Sequence, residues 1–122
     1  MKRIIGILTS IIVLSSCYNR NETNLYPGPA TCDTSVVTFS GTILPIMQQH
    51  CAITGCHTGP STGNGLNYNL YSGLAVVASN GQLIPAIEHG NTPSPMPKDM
   101  PMLDACTIDK IVRWVNEGYP NN

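Results

Sequence analysis

Charge is scarce in this 122-residue chain, with six Lys and Arg, seven Asp and Glu, and a formal net charge of −1. No basic cluster or stripe occurs, which argues against a nucleic-acid partner, because phosphate binding draws on clustered Lys and Arg. Aromatic residues are also few, with one Trp and one Phe. A domain this small then has little from which to build a core, and a covalent staple or a buried prosthetic group would help to hold it. The sequence offers no paired carboxylates, no Ser-His-acid order and no phosphate-binding loop, so nothing in it points to an enzyme. No internal repeat is visible, and no apolar run reaches the roughly 20 residues that a membrane-crossing helix needs.

What is abundant is glycine and proline, 11 and 10 residues, so loops should occupy much of the chain. The N-terminus reads MKRIIGILTSIIVLSSCYNR. Lys2 and Arg3 precede an apolar run over residues 4–14, and Leu14-Ser15-Ser16-Cys17 then has the form of a bacterial lipobox. That order of charge, apolar run and small residues is the order of a signal peptide, whereas a buried helix with an incidental Cys has no need of it. The expectation is a signal peptide over residues 1–16, lipidation of Cys17, and export to an oxidising compartment at the periplasm or cell surface. Two or more acyl chains on Cys17 would hold the protein firmly to the membrane. Residues 18–30, YNRNETNLYPGPA, are polar and end in a Pro-Gly-Pro cluster, so 17–30 reads as a lipidated flexible tether. The folded domain should span residues 31–122.

Within that domain the periodicity predicts three helices and no strand pattern longer than four or five residues, giving an all-α fold with long loops. FSGTILPIMQQHC carries Ile43, Ile46, Met47 and His50 on one stripe, with Ser40 or Thr42 as N-cap and Pro45 in the first turn. NLYSGLAVVASNG starts near Asn69 and stops at Asn80-Gly81. LDACTIDKIVRWVNEGYP has Asp104 as cap, a stripe of Ile108, Ile111, Val112 and Val115, and a stop at Gly118 and Pro120.

Between the first two helices lies HCAITGCHTG, residues 50–59. Cys51, Cys56 and His57 admit three chemistries. A disulfide between the two cysteines is the simplest. Zinc is another, with His57 or His50 beside the thiolates, although no second ligand pair has finger-like spacing. The third is covalent haem attachment, which uses two thiols for the vinyl groups and a His directly after the second Cys to ligate the iron. Its common spacing has two residues between the cysteines, and here there are four. A six-coordinate electron-transfer haem also takes a ligand from its far side, for which a thioether suits. The loop SPMPKDMPML supplies Met96, Met100 and Met102, residues that otherwise serve as flexible gap-fillers.

Taken together, FSGTILPIMQQHCAITGCH, GLNYNLYSGL, MPKDMPML and IDKIVRWVNEGYPNN resemble a small single-haem cytochrome c, in particular the lipoprotein-borne domains of the planctomycete-type cytochrome family, over roughly residues 34–122. The wider cysteine spacing departs from that pattern. The resemblance implies a cytochrome c-like fold around one haem c and an electron-carrying role opposite an unidentified redox protein. It further implies thioethers at Cys51 and Cys56, and His57 and a methionine as axial ligands. In that family the axial Met opens a Met-Pro pair about seven residues before the last helix, which favours Met96. Met100 is the alternative, and Met102 and His89 follow. With Cys17 assigned to lipid and Cys51 and Cys56 to haem, Cys32 and Cys106 remain and are expected to form a disulfide. Ile43, Leu66, Leu70, Leu74, Ile84, Ile87, Ile108, Ile111 and Trp114 are expected to line the haem, which would supply most of the core. His50 and His89 are expected at the surface. The reading of another class is a disulfide-stapled lipoprotein interaction module, cofactor-free or metal-binding.

Overall fold

A computed structural model describes residues 31–122. The expected signal peptide, the lipidation site Cys17 and the tether of residues 17–30 lie outside the described residues. The described domain is all-α. Among its residues the only extended pairing is a single antiparallel bridge between Thr58 and Asn67.

The chain enters through one wide π-helical turn, Phe39–Ile43, which runs directly into α1, Leu44–His50. Thr38, not Ser40 or Thr42, is the cap: its extended backbone lets the hydroxyl accept from the Gly41 N–H at 3.1 Å. The Leu44 N–H reaches back to the Phe39 carbonyl, and Pro45, which has no N–H, sits at the first turn of α1 where none is required. Of the expected stripe, Ile43 and Met47 are fully buried.

α2, Tyr71–Ser79, begins after Leu70 rather than Asn69, without a side-chain cap, and ends at Asn80-Gly81 as its sequence suggests. α3, Leu83–Ile87, was not legible in the sequence. It is barely more than one turn long and contains Pro85, too short for a period to register. α4, Ala105–Asn116, is capped by Asp104, whose carboxylate accepts from the Thr107 N–H at 3.0 Å and the Thr107 hydroxyl at 2.6 Å. Its buried stripe is Ile108, Ile111 and Trp114, with Val112 and Val115 half-buried beside it.

Burying these stripes makes one continuous core of Phe39, Ile43, Met47, Leu74, Ile87, Leu103, Ile108, Ile111 and Trp114 with their neighbours. Each fully buried aliphatic or aromatic side chain contributes about 1.5–3 kcal/mol relative to exposure. The expectation that a haem would supply most of the core is therefore corrected, because the chain assembles a core of its own. The ends are tied in by polar contacts. The Trp114 indole donates to the Pro120 carbonyl at 2.9 Å, the Tyr71 hydroxyl donates to Tyr119 at 3.0 Å, and the Phe39 N–H donates to the Asn122 side chain at 2.8 Å. Cys32 and Cys106 form a disulfide with Cα atoms 5.3 Å apart and a sequence separation of 74. Closing so long a loop stabilises the fold by about 4 kcal/mol on the chain-entropy argument.

Candidate functional site

α1 delivers the site. Its C-terminal residue is His50, and the Cys51 N–H caps it by donating to the Met47 carbonyl at 2.8 Å. The four residues between the cysteines fold into a turn: the Cys56 N–H donates to the Ile53 carbonyl at 2.9 Å, with Gly55 in the left-handed region at φ 85°. The His57 N–H then returns to the Cys51 carbonyl at 3.0 Å. The wider spacing is thus absorbed as a closed loop that sets Cys51, Cys56 and His57 on the lining of one cavity. Both thiols are free, so the simple disulfide between them is not formed.

His57 is buried, with 8 % of its surface exposed. Its ring stacks on Tyr68 with centroids 4.2 Å apart and planes 13° from parallel. The Tyr68 N–H donates to the His57 carbonyl at 3.0 Å, so the chain from Thr58 to Asn67 leaves and returns beside the histidine. On the ring's edge, Nδ1 lies 3.1 Å from the Asn64 side-chain oxygen. A Cβ at Gly63 would fall 2.6 Å from that nitrogen, and Gly63 has φ 54°, so two constraints require glycine there.

These residues wall a cavity of about 460 Å³, within the range of roughly 300–1,000 Å³ typical of small-molecule and cofactor sites. One side is His50, Cys51, Ile53, Cys56, His57 and Tyr68. The back is apolar, from Val77 of α2 and Leu83, Ala86 and Ile87 of α3. The remaining side is the proline-rich loop, through Pro93, Met96, Pro97, Lys98 and Met100. Burial pushes the Cys51 thiol up to about 11, with the neighbouring Cys56 a smaller cause in the same direction. Burial also raises Tyr68, against the opposing effect of its hydrogen bond with Asn64.

Of the candidate sixth ligands, Met96 and Met100 line the cavity, whereas Met102 and His89 do not. Met96 is half-buried, while Met100 is 55 % exposed. His50 and His89, expected at the surface, are both half-buried. His50 stands on the cavity wall, and the Nε2 of His89 is buried without a hydrogen-bond partner. Among the expected lining residues only Ile87 faces the cavity; Ile43, Leu74, Ile108, Ile111 and Trp114 belong to the core, and Leu70 is 55 % exposed. Asn64, Tyr68, Leu83 and Ala86 were missed because no motif marks them and their approach to the cavity is made by tertiary folding.

No three His, Cys, Asp or Glu side chains among the described residues come together to hold a metal ion, which leaves the zinc alternative without a ligand set. A haem asks for other things: two thiols, an imidazole, a thioether and apolar walls for a flat macrocycle. The residues around this cavity include all of these, and they fit the group. Comparison with protein-family models, curated proteins and solved structures found no match to this chain.

Proposed function

We propose that this protein is an electron-transfer c-type cytochrome, anchored to a bacterial membrane as a lipoprotein and carrying one haem c. The observation that carries the proposal is the gathering of two free thiols, a buried histidine and a half-buried methionine around one apolar-backed cavity. When bound, the haem supplies a one-electron change at its iron.

The rest falls to the chain. Cys51 and Cys56 would hold the group by thioether bonds, so retention no longer depends on affinity. His57 and Met96, with Met100 as the alternative to Met96, would hold the iron; a His/Met pair raises the potential. Val77, Leu83, Ala86 and Ile87 exclude water from the back wall and keep the local dielectric low. No acid, base or nucleophile is required for electron transfer, and the protein is proposed as a carrier rather than an enzyme. Its partner would be a redox protein.

The membrane anchor rests on sequence: Lys2 and Arg3, the apolar run and Leu14-Ser15-Ser16-Cys17. No described helix is long and apolar enough to cross a membrane.

Expression of the full chain together with a haem-attachment system tests the proposal. The expected product is red, shows the absorption bands of a reduced c-type haem, and keeps its haem through acid-acetone extraction. A colourless folded domain would overturn the haem proposal in favour of the disulfide-stapled interaction module.

A further inference from the structure

We propose that Asn64 is the positioning residue for His57: its side-chain oxygen holds the Nδ1–H, presents Nε2 as the iron-binding nitrogen and sets how strongly the imidazole donates to the metal. This inference rests on the haem reading above and adds to it a residue that no motif marks.

The orientation of the Asn64 amide follows from its neighbours. The Leu66 backbone N–H donates to the Asn64 Oδ1 at 3.2 Å, and a backbone N–H can only donate. The oxygen must therefore be on that side, which puts Nδ2 where it donates to the Tyr68 hydroxyl at 2.8 Å. The flipped amide would set two donors against each other.

With the amide fixed, the histidine tautomer is fixed as well. Oδ1 can only accept, so the His57 Nδ1 lying 3.1 Å away carries the proton and donates. In the neutral imidazole the lone pair is then on Nε2, the nitrogen left to bind a metal. Ring rotation is opposed by the Tyr68 stack at 4.2 Å, and the missing Cβ of Gly63 leaves the room that Nδ1 and Cε1 occupy in this orientation. Tyr68 and Asn64 thus brace each other and the ring. A hydrogen bond from the distal ring nitrogen orients a metal-bound imidazole and raises its basicity, and a more basic axial ligand favours oxidised iron.

The test is the reduction potential of the haem-loaded full chain in two variants of opposite chemistry. Asn64→Asp puts a carboxylate where the amide oxygen was, strengthening the acceptor, and should lower the potential. Asn64→Leu removes the acceptor and should raise it. Proton NMR of the reduced protein supplies a second readout: the His57 Nδ1–H resonance, protected in the wild type, should exchange with water in Asn64→Leu. A merely structural role predicts something else, because loosening the site admits water and moves both variants the same way. Shifts of one sign in both, or none, with the Nδ1–H still protected in Asn64→Leu, overturn the inference while leaving the haem proposal standing. A wild-type chain that takes up no haem overturns the haem proposal, and the inference falls with it.

Discussion

The Met96 N–H donates to the Ala86 carbonyl at 2.8 Å, tying the methionine loop to α3. Met96 is thereby held beside the apolar back wall of the cavity that His57 also lines, while Met100 sits on the same cavity at 55 % exposure. An anchored, half-buried thioether costs less entropy to bring onto a metal than an exposed one.

Met96→Ala should therefore abolish the sulfur-to-iron charge-transfer band of the oxidised protein and lower its potential. Met100→Ala and Met102→Ala should leave both nearly unchanged. Loss of the band in Met100→Ala instead would transfer the sixth position to the second Met-Pro pair.

The double variant Cys51→Ser, Cys56→Ser should lose covalent haem but not the fold. Its core cluster and its Cys32–Cys106 disulfide do not depend on the two thiols. Circular dichroism should show retained helix and a cooperative thermal transition below that of the haem-loaded protein, since a group bound only by the native state stabilises that state. A transition at the wild-type temperature, or no cooperative transition at all, would contradict this.

Burial gives the Cys51 thiol a raised pKa of about 11, against an ordinary value of 9.0. In haem-free protein carrying Cys56→Ser, alkylation of Cys51 by iodoacetamide, followed on its own peptide, should stay slow at pH 8 and rise with a midpoint well above 9.0. The raised folded value also gives the sign of the stability effect. The native state holds its proton where the unfolded chain has lost it, so stability is intact below pH 9 and falls as pH rises toward 11. A midpoint at or below 9.0 would show the thiol to be solvated.

Gly63→Ala and Gly55→Ala form a controlled pair. Both glycines have positive φ, and each alanine costs about 1–2 kcal/mol in backbone strain. At Gly55 nothing lies within 4 Å of the new Cβ, but at Gly63 it meets the His57 ring at 2.6 Å. Gly63→Ala should lower the melting temperature more and perturb the haem spectrum more strongly than Gly55→Ala, whose new Cβ faces the same cavity but meets no neighbouring atom. Equal effects on both readouts would sink the proposed role of Gly63.

Cys17→Ser should release the protein from membranes, because the proposed acyl anchor would be gone. Unchanged membrane fractionation of the variant would refute lipidation at that residue.

Much of the frame was readable in the sequence alone. The last helix announces itself through Asp104, the Ile108–Ile111 stripe and Gly118, because capping and helical period are local properties. The all-α class and the candidate trio Cys51, Cys56 and His57 follow from helical period and spacing, whereas the pairing of Cys32 with Cys106 rested on the haem assignment that the family resemblance implies. Tertiary structure decided the rest. It recruited the one-turn α3 as the cavity's back wall, since a helix that short carries no period of its own and exists only where its apolar face is covered. It separated core from cavity, sending Leu74, Ile108 and Trp114 to the core alone and Ile87 to the boundary shared by both, because both demand the same apolar residues. It also set Asn64 and Tyr68 against His57: hydrogen bonds and ring stacking depend on where a loop returns in space, which no count of residues along the chain records.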